Sequence, residues 1–259
     1  VASHFACIGL PLETAEDLDS FNERALASAE RSPRPQAERA LWRDASGALV
    51  SYHLEDGAVV CATPGFDSGT RLRVQADALA ETPDCRYCLA LEASVLDDDD
   101  EVATRLAFQL LDPERVRDEV HPGEIVVARL SAFAEQIEQW PGEEVYEASL
   151  TDEPAYAPES FLPTGLFADL ESGSKLRSLF RRRPAVTPGD VMSRGLVTGR
   201  VLAAERRVNT LSQVDFAVLR LRSYGGEFEV LADRDELGEL PPVGGIVQAH
   251  CWLVGDVAA

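Results

Sequence analysis

Residues 39–65 read RALWRDASGALVSYHLEDGAVVCATPG. Turn residues cut this run into three short pieces. Asp44-Ala45-Ser46-Gly47 separates Arg39–Arg43 from Ala48–Leu54, Asp56-Gly57 separates that piece from Ala58–Thr63, and Pro64-Gly65 closes the unit. An Asp-Gly pair between β-branched and aromatic residues is a strong short-range signal for a hairpin. The stretch therefore predicts a meander of three strands. Upstream, Thr14 and Asp17 have the spacing of a capping box, and Leu18, Phe21, Ala25 and Ala29 recur on one helical face. Pro33 and Pro35 stop that helix. Ser3–Leu10 reads as a first strand, so the expected order over the first 65 residues is β-α-β-β-β.

Further strands are expected at Arg71–Ala78, Arg86–Val95, Arg105–Leu111 and Glu124–Leu130. Asp97–Asp100 with Glu101 reads as a solvated loop, because like charges at that density repel. Phe133, Ile137 and Trp140 suit a short amphipathic helix capped by Ser131. From residue 151 to 190 the pattern breaks down. Pro154, Pro158, Pro163, Pro184 and Pro188 punctuate it, Ser172-Gly173-Ser174 lies within it, and Lys175–Arg183 forms its one basic cluster. This composition reads as a linker.

Beyond it, Gly195–Glu205, Asp215–Ser223, Glu227–Ala232 and Ile246–Val254 read as strands, with a helical turn at Asp233–Leu240. The expected fold is α+β: a mixed domain over 1–150, a proline-rich connection over 151–190, and a small barrel over 191–259. Strand, strand, strand, helical turn, strand resembles an oligonucleotide/oligosaccharide-binding (OB) barrel, which has five strands. Four are visible, and a bend in the long first strand would supply the fifth.

Charge limits the function. The chain carries 45 acidic and 24 basic residues, a net charge of -21. Such a surface repels phosphate backbones and anionic lipid headgroups, so nucleic acid and membrane partners are disfavoured. No stretch has the length of an apolar membrane span. Val1–Leu12 lacks the basic and apolar regions of a secretion leader. Five scattered cysteines, an odd number, do not suit a secreted disulfide framework. The cytoplasm is the expected compartment.

Residues 1–65 resemble one β-α-β-β-β half-module of the vicinal-oxygen-chelate enzymes, with Asp44 to Gly47 standing where that family has an Asp-Pro-x-Gly hairpin and Ala45 replacing the proline. The resemblance implies metal ligands on the outer strands. The chain also resembles an uncharacterised group of bacterial proteins, through Ser3-His4-Phe5, the run Glu159 to Phe167, and Val243 to Val247 followed by Cys251 to Gly255. That likeness implies a fold and no chemistry.

His4, His53 and Glu55 are the candidate metal ligands: His53 and Glu55 share a strand face by alternation, and His4 lies on the first expected strand. Two imidazoles and a carboxylate would hold a divalent cation with open positions. The plainer reading makes His4 a polar strand end and Glu55 a solvated turn neighbour. Cys85-Arg86-Tyr87-Cys88 has redox or zinc spacing. It sits at a strand entrance without a second pair, which favours buried structural cysteines. Phe216, Tyr224, Phe228 and Trp252 could stack on bases in a barrel, although Phe216 and Phe228 read more simply as core. Trp252 either fills the barrel or packs outward against the amino-terminal part. Arg181-Arg182-Arg183, with Lys175 and Arg177, could dock an acidic partner, RNA or a membrane surface, or pair with the protein's own acidic body, the simpler reading on a chain of net charge -21.

The phosphate-loop, dinucleotide, nucleophile-elbow and zinc-protease motifs are not in the sequence. No catalytic set or cofactor emerges. The expected function is a non-enzymatic protein that binds a small molecule or another protein. A divalent-metal enzyme and a single-strand nucleic-acid binder are the alternatives.

Overall fold

A computed structural model describes residues 4–33, 38–82, 87–150, 156–164 and 193–258. The chain is a mixed α/β molecule, mostly strand, with two sheets among these residues. The quoted stretch folds as its turns require. A four-stranded antiparallel sheet runs in order β1 (Glu30–Ser32), β2 (Glu38–Arg43), β3 (Ala48–Glu55) and β4 (Ala58–Phe66). Asp56 and Gly57 both take positive φ, 50° and 81°, as a two-residue turn between twisted strands demands. Helix α1 (Ala15–Leu26) starts on the reciprocal Thr14–Asp17 capping box that the spacing predicts.

The opening differs from expectation. Ala6–Ile8 is a single 3-10 turn, and Ser3–Leu10 forms no strand over its described residues. Cys7, Ile8 and Leu10 are buried as a plug, and side chains bind its backbone. Asn209 Nδ2 donates to the Ile8 carbonyl at 2.9 Å, and Ser212 Oγ donates to the Gly9 carbonyl at 2.5 Å. The apolar run is satisfied by burial without strand pairing.

The second sheet contains β5 (Leu72–Glu81), β6 (Leu89–Leu96), β7 (Val102–Leu110), β8 (Ile125–Trp140), β9 (Ser160–Leu162), β10 (Arg194–Val208), β11 (Asp215–Ser223), β12 (Gly226–Asp233) and β13 (Ile246–Ala258). Helix α2 (Pro113–Glu119) joins β7 to β8, α3 (Glu143–Ser149) follows β8, and α4 (Arg234–Leu237) lies between β12 and β13. The helix expected at Phe133–Trp140 is strand. Its residues pair with β13, Phe133 opposite Trp252 and Trp140 opposite Ile246. Phe133, Ile137 and Trp140 do fall at helical spacing, but backbone pairing with β13, broken only by a bulge at Glu135, overrides that local pattern.

Extra pairings close this sheet on itself. β10, β11, β12, β8 and β13 form one ring, with β12 parallel to β8. The fifth strand is therefore β8, drawn from before the stretch read as a linker, and not a bend in β10. β5, β6, β7, β13 and β8 form a second ring, with β7 parallel to β13. Each long strand, β8 and β13, serves both rings.

The two rings repeat one design. In each, three meandering strands, a short helix and a long strand follow in order. Asp112 and Asp233 cap the two helices with their side chains. Gly123 and Gly244 stand at φ 87° and 86°, an angle open to glycine at little cost. Gly123 N donates to the Ala76 carbonyl and Ala76 N to the Glu124 carbonyl; Gly244 N and Val201 N make the same two bonds with Val201 and Gly245. Bulges fall at Ala76/Ala78 in β5 and at Val201/Ala203 in β10. The parallel contacts fall in corresponding places, one residue apart in register: Gln109 faces Val254, and Leu231 faces Phe133. The halves are a structural duplication.

One apolar core runs through both rings, from Leu72, Leu91 and Phe108 to Leu219, Phe228 and Leu253. A second core lies between the four-stranded sheet, α1 and the outer face of the rings, where Trp42, Tyr52 and Phe66 join Phe133, Phe216 and Val254. Within the stretch read as a linker, Ser160–Leu162 pairs with β10. Residues 165–192, with Lys175, Arg177 and Arg181–Arg183, lie outside the described residues.

Gly255 tests the shared pair of strands. A Cβ there would stand 2.2 Å from the Arg129 carbonyl of β8. Gly255→Ala is expected to lower unfolding stability by about 1–3 kcal/mol. Circular dichroism and tryptophan fluorescence should still report one common transition. Separate transitions for the two probes would show that the rings do not depend on one another.

Candidate functional site

A cleft of about 380 Å³ opens where the four-stranded sheet meets the rings. β2 sends Arg39, Leu41 and Arg43 into it, residues that share a face because side chains alternate along a strand. Leu49, Phe66 and Leu111 make an apolar floor, Arg129 comes from β8, and Asp256 to Ala258 from the end of β13. Asp67 and Ser68 complete the rim.

The three arginines are in different states. Arg39 is a tether: it pairs with Asp112 at 3.3 Å and donates to Ser51 Oγ and the Leu111 carbonyl. These bonds fasten the small sheet to the start of α2. Arg129 makes a long contact with Asp67, 3.7 Å between two largely exposed side chains, which contributes little binding energy. Arg43 is exposed and has no ion pair or hydrogen bond among the described residues. Asp256 is a half-buried carboxylate of the cleft. Burial raises its pKa, and Arg115, at 2.6 Å, offsets that rise in part.

A larger depression, about 690 Å³, lies on the outer face of β5–β7. Its lining includes Asp77, Glu92, Arg105 and Pro163, and Asp77 already accepts from Ser94 Oγ at 2.8 Å.

The metal candidates His4, His53 and Glu55 are not brought together. His4 Nε2 lies 3.2 Å from Glu135, and its ring stacks on Trp252 with centroids 4.4 Å apart. His53 is buried on β3, and its ring stacks on Tyr87 at 5.4 Å. Glu55 ends β3. As their side chains stand, no three His, Cys, Asp or Glu among the described residues are grouped closely enough to hold a metal. Over the described residues of Ser3–Leu10 there is no strand, so His4 is not carried on the strand from which the set was read.

His4 instead belongs to a half-buried cluster at the seam between β8 and β13. Glu135 accepts from Arg194 Nε and NH2, at 3.0 and 2.8 Å, and lies against His4. Burial works against the charged carboxylate, but the hydrogen bonds with His4 and Arg194 outweigh it, and the Glu135 pKa is held down at about 2. Trp252 faces outward and packs between His4 and Phe133. Phe216 and Phe228 are fully buried and Tyr224 is exposed.

The arrangement at the cleft suits anion recognition. A guanidinium presents planar donors to carboxylate or phosphate, and the apolar floor can cover a hydrocarbon body. Arg39, Leu41 and Arg43 lie in the stretch that decides the fold, and their alternation was readable there. Arg129 and Asp256 were not, because their approach depends on strand pairing between residues far apart in sequence. No family model, curated protein or solved structure matches the chain.

The Glu135 cluster makes stability depend on pH. A carboxyl with a lowered folded pKa stabilises the fold above its unfolded pKa, and the gain is lost as pH falls toward the folded value. At neutral pH Glu135→Gln is expected to cost about 1.5–3 kcal/mol in urea unfolding. The deficit should shrink from about pH 5 down toward the folded value of about 2. A deficit independent of pH would mean that the ion pairs are not its source.

Proposed function

We propose that the protein is a non-enzymatic binding protein whose two rings are OB-like barrels, and that the cleft takes an anion with an apolar body. The carrying observation is the exposed, unengaged Arg43 beside the weakly engaged Arg129, both above the floor of Leu41, Leu49 and Phe66. On a chain of net charge -21, carboxylates are plentiful partners, so two guanidiniums left available over an apolar floor favour an outside anion. The OB-like reading is supported by strand order. Each ring has a three-strand meander, a helix before the fourth strand, and a fifth strand parallel to the third. A small-molecule ligand suits the size of the cleft. A reducing cytoplasm is the setting we propose for it. No helix among the described residues is long and apolar enough to cross a membrane.

The test is thermal unfolding with octanoate, benzoate and inorganic phosphate, each matched in ionic strength by sodium chloride. At hundredfold excess over Kd a bound anion stabilises by about 2.7 kcal/mol, a rise in Tm of roughly 5–10 °C. Octanoate and benzoate are expected to raise Tm in a saturable way and to exceed phosphate. Arg43→Ala combined with Arg129→Ala should remove the rise while leaving the unliganded Tm within a few degrees. Wild-type protein that responds to none of them beyond sodium chloride would refute the reading.

A further inference from the structure

We propose that Cys61, Cys88 and His53 form a binding site for a soft divalent cation of the zinc class, at the junction of the two sheets. The site is separate from the arginine cleft. Cys61 lies on β4 and Cys88 immediately before β6, and their sulfurs are 3.4 Å apart. His53 is the direct cross-strand partner of Cys61, so the two side chains project from the same face as close neighbours. His53 is only 4% exposed, and its Nδ1 has no hydrogen-bond partner. A buried polar atom left unsatisfied is uncommon and needs a reason. Its ring stacks on Tyr87, the residue preceding Cys88. The imidazole therefore neighbours both cysteines through adjoining residues.

The surroundings hold the thiols in place. Thr82 donates from both its backbone N and its Oγ1 to the Cys88 carbonyl at 3.3 Å. Thr63, one strand position from Cys61 on the same face, has its hydroxyl 4.0 Å from each sulfur and accepts from Gln109 Nε2. Cys88 also closes the Cys85-x-x-Cys88 spacing, whose first cysteine lies outside the described residues.

Thiolate and imidazole are the donors that zinc takes in four-coordinate sites. The three side chains do not yet converge on one point, so binding turns the His53 ring from Tyr87 toward the sulfurs. Each thiol releases one proton as its sulfur–metal bond forms. The imidazole binds through a neutral nitrogen lone pair, the fourth position is open, and no electrons are transferred. Because Cys61 lies on the small sheet and Cys88 at the entrance to β6 of the larger one, the ion would clasp the small sheet to the rings.

The test uses the full chain produced in zinc-supplemented medium and purified with a non-chelating reductant. Elemental analysis should give near-stoichiometric zinc, and a chelator should lower Tm. Stripped protein given cobalt(II) should show thiolate charge-transfer absorption in the near ultraviolet and the visible bands of a tetrahedral ion. Folded Cys61→Ser should lose the charge-transfer band, and His53→Gln should shift the visible bands. Because those variants can fail to fold, the wild-type cobalt spectrum stands as an independent measure. Three results would overturn the site: reduced wild type giving no cobalt spectrum, an unchanged spectrum in folded Cys61→Ser, or a Cys61–Cys88 disulfide trapped by alkylation at lysis.

Discussion

The antiparallel pairing of β8 with β13 is the constraint on which the rest of the structure depends. It runs from Val127 opposite Ala258 to Trp140 opposite Ile246, with one shift at His250/Cys251. Near its ends each strand also pairs with its own meander, and past the centre with the other one. Remove the pair and both rings open, exposing rows of unpaired backbone donors and acceptors that cost free energy without partners. The apolar core that spans both rings would be cut at the same place. The four-stranded sheet depends on it in turn, since Phe133 and Val254 of the central strands lie in its core.

Much of the fold was legible where local chemistry decides it. The hairpin at Asp56-Gly57, the Thr14 cap and the strands after Gly195 follow from turn residues, capping spacing and apolar runs. Helix α2 also left a signal in Asp112-Pro113, a capping side chain followed by proline in the first turn. What could not be read depends on partners distant in sequence. Phe133, Ile137 and Trp140 carry a helical spacing, and only the presence of β13 makes them strand. Cys7 and Ile8 look like strand residues until Asn209 and Ser212 are seen to bind the backbone beside them. The repeated design is hidden because few residue types recur at corresponding positions of the two halves. It is visible in Asp112 and Asp233, Gly123 and Gly244, Ile125 and Ile246, and Ala128 and Ala249, which stand at equal spacing.

The candidate sites were less legible, for the same reason. His53 was singled out for metal, but with His4 and Glu55 as partners, because a strand was expected where a 3-10 turn stands. Its actual neighbours, Cys61 across the hairpin and Tyr87 from the turn before β6, come from one local and one distant contact. The cleft follows a similar logic. Alternation along β2 sets two of its arginines on one face, on either side of Leu41, and pairing in the rings brings Arg129 to the same cleft. Electrostatics separates their roles: Arg39 is bound to the protein's own Asp112, while Arg43 is left to the solvent.

The matched bulges and helix caps bear on how such a molecule could arise. One copy of the unit, standing alone, would have a meander and a long strand whose far half had no sheet to join. It could complete its ring only by lending that half to a second copy and borrowing the same half in return. Such a pair would exist only above the concentration at which two chains find each other. Joined in tandem, the two copies meet at a fixed local concentration, and assembly no longer depends on supply. Fusion also frees the copies to diverge. Glu135 and Asp256 occupy equivalent places on β8 and β13, yet one carboxyl is held charged by His4 and Arg194 while burial raises the pKa of the other beside Arg115. A symmetric dimer would have to carry the same environment twice.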